Sequence, residues 1–210
     1  MKFTKHLLQQ MLFGAMEAIK LRVDELNRLD AATGDGDHGT AIFTAMKAAA
    51  NSSQKEGNLA KTLETVGWDV MSSASGSTST LTGSFFIGMS GVVKSDELNL
   101  SETVEMFKAG LSNVRVSTKA GVGDKTLMDA LIPAIAAMDE NKDTCNSLAE
   151  LFLLAYEAAQ KGADSTRDLL AKFGRTKNIG ERSRNNLDAG AISTAIIYKA
   201  YAETIQKLES

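Results

Sequence analysis

The 210-residue chain has one cysteine, one proline, two histidines and 6% aromatic residues. With Cys145 alone, an internal disulfide and a thiolate metal site are both excluded, and no motif around it marks a nucleophile. The scarcity of proline removes the commonest breaker of the i→i−4 ladder and favours helices. Charge of one sign is also lacking: 23 Lys+Arg face 26 Asp+Glu, a net charge of −3, and no basic run tracks one face. That excludes the electrostatic footprint of a nucleic-acid binder. No uninterrupted apolar stretch reaches the length of a membrane span, and Met1 to Gln10 mix polar and apolar residues rather than forming a signal core. The expectation is a cytoplasmic protein with neither nucleic acid nor membrane as partner. A hydrophobic fraction of 43% and a charged fraction of 23% suit a soluble helical protein, and the length suits one domain over residues 1–210.

Apolar residues recur at helical spacing through most of the chain. Leu7, Leu8, Met11, Leu12, Ala15 and Ile19, continued by Val23 and Leu26, predict a first helix that ends before residue 30. Further patterns over 39–51, 58–74, 80–93, 101–117, 125–139, 147–173 and 191–208 bring the expected helices to eight. Asn58 and Ser101 stand where N-caps are needed, and Ser147-Leu-Ala-Glu150 has the capping-box pattern. The β-prone run Phe85-Phe86-Ile87 is too short to anchor a sheet. The fold class is therefore all-α: consecutive helices joined by short loops, packed antiparallel around one apolar interior.

The densest chemical signal is Asp30-Ala-Ala-Thr-Gly-Asp-Gly-Asp-His-Gly39, with three carboxylates in eight positions. Like charges this close repel, and a divalent cation removes that cost. A few carboxylates, with other positions left to water and phosphate, suit Mg²⁺ better than a closed Ca²⁺ cage. The spacing also lacks the alternating ligands and distal Glu of a helix-loop-helix calcium site. Glycines at 34, 36 and 39 let the backbone turn and approach a ligand closely. A solvated Asp-Gly turn is the competing reading and accounts for only two of the three aspartates. Asp30, set apart from the other two, is expected to matter least.

Three other loops can face the same ligand. Ser72 to Gly83 is rich in small hydroxyl residues ahead of a helix, an arrangement that offers backbone N–H groups and a positive helix end to phosphate, or else plain helix caps. Gly121-Val-Gly-Asp-Lys-Thr126 precedes a helix carrying Leu127, Met128 and Leu131. Asp124 there is in place to cap the helix, and Lys125 and Thr126 set polar groups beside an apolar wall that suits a nucleotide. The lysine does not have the spacing of a phosphate-binding P-loop. Gly174 to Gly190 holds Arg175, Lys177, Arg182 and Arg184, cations able to neutralise phosphate, followed by Asp188 and Gly190 at the start of the last helix. A solvated basic loop is the alternative.

Taken together, Leu29-Asp30, Gly34-Asp-Gly-Asp-His-Gly39, Gly123-Asp-Lys-Thr126 with Asp129 and Pro133, Gly174-Arg175 and Gly180-Glu-Arg-Ser183 resemble, in order and over nearly the whole chain, the nucleotide-binding L subunit of dihydroxyacetone kinase. The resemblance implies an eight-helix antiparallel barrel with ADP or ATP bound among the loops at one end. It implies two Mg²⁺ ions held against the phosphates by Asp30, Asp35 and Asp37. It implies nucleotide contacts from His38, Gly39, Thr40, Ala41, Ser77, Thr78, Thr118, Leu127, Arg175, Asp188 and Gly190. The family's Gly-Gly-Ala-Ser-Gly-Pro is here Ser75-Gly-Ser-Thr-Ser-Thr80.

The resemblance further implies a phosphotransferase working with partners. A separate K subunit holds a short ketose, and bound ADP is rephosphorylated by an M subunit of the phosphotransferase system. Two alternatives stay open: an ATP-dependent kinase subunit acting on another short ketose, and a non-catalytic nucleotide-binding regulator. Homodimerisation is a further open alternative.

Overall fold

The computed structural model describes all 210 residues except Ser75, and all side chains except those of Arg175, Thr176, Asn178 and Ile179. Nine α-helices run along the described residues: α1 (Lys5–Lys20), α2 (Val23–Ala31), α3 (His38–Ser53), α4 (Leu59–Ser73), α5 (Ser77–Ser90), α6 (Leu100–Ser117), α7 (Met128–Asn141), α8 (Leu148–Ser165) and α9 (Ala189–Glu209). Two-residue strands β1 (Phe3–Thr4) and β2 (Glu97–Leu98) pair antiparallel, and 3₁₀ turns cover Thr166–Asp168 and Arg175–Ser183.

Eight of the helices close a ring. Each of α3 to α8 packs on the next, and α1 packs on both α3 and α9. The all-α barrel expected from the sequence is what forms, with α2 as a ninth, short helix laid against α3 and α9. The first predicted helix is thus two. Its ladder breaks at Leu21 and Arg22, where Arg22 takes φ −118°, ψ 8°, and no glycine or proline marks the break. The pattern over 147–173 stops at Ser165 and passes into a 3₁₀ turn.

Caps fix the helix starts. Thr4, Asn58 and Ser147 accept from the N–H groups of Leu7, Lys61 and Glu150 respectively. Ser147 makes only half of a capping box, because the Glu150 carboxylate takes the N–H of Asn146 instead. The complete box lies at α6, where Asn99, not Ser101, bonds the Glu102 N–H while the Glu102 side chain bonds back to the Asn99 N–H. Asp124 likewise does not cap α7. Asp129, inside the first turn, reaches back to the N–H groups of Gly123 and Thr126 at 2.6 and 2.8 Å.

The barrel interior is a joined apolar core. Phe107 on α6 sits edge-on to Phe3, Phe85, Phe152 and Tyr198, with ring centroids 5.3 to 6.3 Å apart. Edge-to-face rings at this spacing interact favourably beyond their buried area. No helix of the described residues is long and apolar enough to cross a membrane.

The up-down order has an electrostatic consequence. Alternate helices point the same way, so α3, α5, α7 and α9 all begin at one end of the barrel. Residues from each of these four starts line one common cleft there. Four helix N-termini bring unsatisfied N–H groups and positive dipole ends to that mouth, which favours an anion.

Candidate functional site

The cleft at this mouth is floored by the starts of α3, α5 and α9 and walled by the loops 118–127 and 173–188. At one side stands the aspartate loop. Asp30, Asp35 and Asp37 each offer a carboxylate oxygen, and these oxygens lie within 4.8 Å of one another. Hard oxygen donors at that spacing, part-exposed and open to a cleft, fit a divalent cation that keeps water and phosphate ligands.

Asp30 organises the loop. It sits in the last turn of α2, and its Oδ2 accepts from the backbone N–H groups of Gly36, Asp37 and His38 at 2.9, 3.0 and 3.3 Å. Gly36 takes φ +79°, which a side chain resists. At Gly34 a Cβ would lie 2.7 Å from Asp30 Oδ1, so only glycine leaves that carboxylate its place. Although the sequence sets Asp30 apart from the other two, in the fold its carboxylate shapes the loop that carries them.

His38 closes the floor where α3, α5 and α9 meet. Its Nε2 is 2.9 Å from Ser193 Oγ, and its Nδ1 is 3.4 Å from Thr78 Oγ1. Burial lowers its pKa, against a smaller opposing pull from Asp30, which favours the neutral ring. Gly76, in a left-handed conformation with φ +119°, leads into α5, whose first turn has no side-chain cap. Ser77 and Thr78 in that turn line the cleft.

The opposite wall is apolar, made by Leu81, Ala120, Leu127, Met128 and Phe173. Asp188 borders it and caps α9, taking the Ala191 N–H at 2.8 Å on Oδ2. Removal from water, more than any neighbour, pushes its pKa up to about 7.

Of the residues singled out in the sequence, Asp30, Asp35, Asp37, His38, Ala41, Ser77, Thr78, Thr118, Leu127, Asp188 and Gly190 line this one cleft. Gly39 and Thr40 do not. A Cβ at Gly39 would lie 2.2 Å from the Val23 carbonyl, so this glycine serves the crossing of α2 and α3. Thr40 turns to α2, donating its N–H to Asn27 Oδ1 at 3.1 Å. The Arg175 side chain lies outside the described residues.

Sequence reasoning missed Thr33, Leu81, Ala120 and Phe173 as lining. No motif marks such small or apolar residues, and only the fold brings them to the mouth. Lys125 and Thr126, read from the sequence as polar groups beside an apolar wall, do line the cleft, but the Lys125 ammonium is taken up by the carbonyls of Thr166 and Asn186, and Asp124 pairs with Lys172 Nζ at 2.8 Å.

Comparison with known proteins agrees with this geometry. A family model described as the DAK2 domain matches residues 32–203. The chain is 32% identical over 210 residues to the ADP-binding subunit DhaL of the PEP-dependent dihydroxyacetone kinase 2 of Listeria innocua, covering 98% of this chain and 95% of that one. It is also 32% identical to L-erythrulose kinase of Pectobacterium atrosepticum, matching 97% of this chain but only 35% of that longer protein. The crystal structure of the dihydroxyacetone kinase from C. freundii in complex with AMP-PNP and Mg²⁺ superposes with a TM-score of 0.72 at 25% identity, over 97% of this chain and 34% of that one. The chain thus spans about a third of the longer kinases and nearly all of the Listeria subunit. A helical barrel whose mouth gathers three aspartates and four helix starts, matched over most of its length by that model, belongs to the DAK2-domain family.

Proposed function

We propose that the chain is the nucleotide-binding subunit of a short-ketose kinase, with ADP or ATP in the cleft and two Mg²⁺ ions on Asp30, Asp35 and Asp37. The observation that carries this is the meeting of the three carboxylates with the uncapped start of α5 in one cleft. Bound Mg²⁺ supplies charge neutralisation for the phosphates and for the group in transfer.

The chain's own residues bind and orient. Asp35 and Asp37, shaped by Asp30, present oxygens to the cation. The N–H groups around Ser77 and Thr78 take phosphate oxygens, and Leu81, Leu127 and Phe173 exclude water from the base and sugar. Neutral His38 holds Thr78 and Ser193 in register and carries no charge toward the phosphates.

The chain would hold ATP while its γ-phosphoryl moves to a hydroxyl oxygen of dihydroxyacetone on a separate K subunit, the P–O bond to the ADP leaving group breaking as the new one forms. A phosphotransferase-system M subunit, charged from phosphoenolpyruvate in the cytoplasm, would return a phosphoryl group to the ADP held in the cleft. Support comes from the near end-to-end likeness to a DhaL subunit. The test mixes the chain with K and M subunits, phosphoenolpyruvate and dihydroxyacetone. Dihydroxyacetone phosphate should form, and ADP should exchange more slowly than turnover. Equal turnover on ATP without the M subunit, with ADP exchanging in seconds, would replace the donor. The likeness to L-erythrulose kinase favours a second reading of the acceptor, a four-carbon ketose, which the same assay decides with L-erythrulose alongside.

A further inference from the structure

Lys125 is the one buried cation among the described residues, 2% exposed, and its backbone stands in the left-handed region at φ +60°. Both features cost free energy. A buried ammonium loses its hydration, and a left-handed backbone strains a lysine. Such costs persist where the surroundings fix the residue.

The ammonium donates to the carbonyls of Thr166 and Asn186. These two residues flank the segment 167–185, which brings Phe173 and Gly174 to the cleft. The same two stalks are stitched to each other by the Asn185 N–H on the Arg167 carbonyl at 2.9 Å and the Asp188 N–H on Thr166 Oγ1 at 3.0 Å. Lys125 joins this pair of stalks to the 118–127 wall. Asp129, fully buried, holds the wall from below through Gly123 and Thr126. Lys172, farther out on the segment, makes a second tie, its N–H donating to the Asp124 carbonyl at 3.2 Å.

We infer that Lys125 is a positioning residue: its ammonium fastens both stalks of segment 167–185 to the opposite wall of the cleft, and so sets how slowly a bound nucleotide leaves. The inference rests on the nucleotide reading above. Lys125 also lines the cleft, and the inference rests on its two bonds to the stalks and on no contact with phosphate. Burial lowers its pKa, with Asp188, Asp129 and Asp168 opposing that effect and Arg167 adding to it, and the pair of carbonyl acceptors requires the charged form or an amine that still donates.

The test is Lys125→Met in the full chain. Release of a fluorescent ADP analogue in saturating Mg²⁺ should quicken by about tenfold or more, the scale of one lost hydrogen bond to a charged group. The Mg²⁺ concentration for half-maximal binding, measured at saturating nucleotide, should not move. Hydrogen exchange without ligand should show the Asn185 and Asp188 amides losing protection while α4 and α6 keep theirs.

Unchanged release with unchanged exchange overturns the inference, and so does a collapse of turnover with release unaltered, which would make the lysine catalytic. A wild-type chain that binds no ADP with Mg²⁺ overturns the nucleotide reading, while loss of protection at Asn185 and Asp188 in the variant would still show the tie itself. Should the variant fail to fold, wild-type exchange decides: the amides of Lys172, Asn185 and Asp188 must open together, and independent opening rejects the strut.

Discussion

At the scale of single residues, the site is governed by where carboxylates find hydrogen bonds. Asp30 satisfies three backbone N–H groups with one oxygen, whereas Asp37 makes no side-chain cap to α3. The two should therefore fail differently. Asp37→Ala is expected to weaken ADP·Mg²⁺ binding by about tenfold or more while the metal-free melting temperature holds or rises, since one repelling charge is gone. Asp30→Ala should weaken binding and also free the 36–38 amides to exchange. Calorimetry and hydrogen exchange on both variants check this, and a metal-free Asp37→Ala protein that melts well below wild type would contradict it.

Asp188 gives a prediction in pH. Its folded pKa is about 7, against an ordinary carboxylate value near 4 in the unfolded chain. Between those values the folded chain keeps a proton that the unfolded chain has released, so stability is lost as pH rises from about 4 to about 7. Asp188→Asn keeps an oxygen for the Ala191 N–H and removes the titration. The stability of wild type relative to this variant, from urea unfolding of the metal-free proteins, should fall across that window and level off above it. A difference that does not change with pH would refute the assignment. The aspartate trio was legible in the sequence because charges at that density require a partner. The burial of Lys125 was not legible, since a lysine beside Gly-Asp reads as a group offered to a ligand until the fold places two carbonyls around it.

At the scale of elements, close helix crossings depend on missing atoms. Pro133 in α7 has no N–H for the carbonyl of Asp129, four residues earlier, and α8 approaches that carbonyl so closely that a Cβ at Gly162 would lie 2.0 Å from it. Gly162→Ala should force α7 and α8 apart and destabilise by roughly 1–3 kcal/mol in urea unfolding. It should also lower nucleotide affinity, because Asp129 anchors the 121–126 wall. A variant as stable as wild type would show that the crossing has slack. Helix positions were readable from apolar periodicity, and most ends fell within a few residues of expectation. What could not be read was the break at Leu21–Arg22, which carries neither glycine nor proline, and the cap at Asn99, one residue ahead of the α6 start and partnered by Glu102.

At the scale of the molecule, the closed ring is what turns eight helices into a site. Even-handed alternation sends four helix starts to one end, and the loops there, far apart in sequence, meet as the walls of one cleft. Antiparallel packing of the helices was foreseeable from short loops and apolar periodicity, and closure into a barrel only from the family resemblance. Which small and apolar residues would reach its mouth was not, because that depends on the angular position of each helix in the ring. The most direct measurement is thermal unfolding of the chain alone, with ADP, with Mg²⁺, and with both. At a hundredfold excess over the dissociation constant, ADP and Mg²⁺ together should stabilise by about 2.7 kcal/mol and raise the melting temperature by roughly 5–10 °C, with little effect of either alone. No shift with both present, or the same shift with ADP in the absence of Mg²⁺, would contradict the claim that the three aspartates hold nucleotide through a metal.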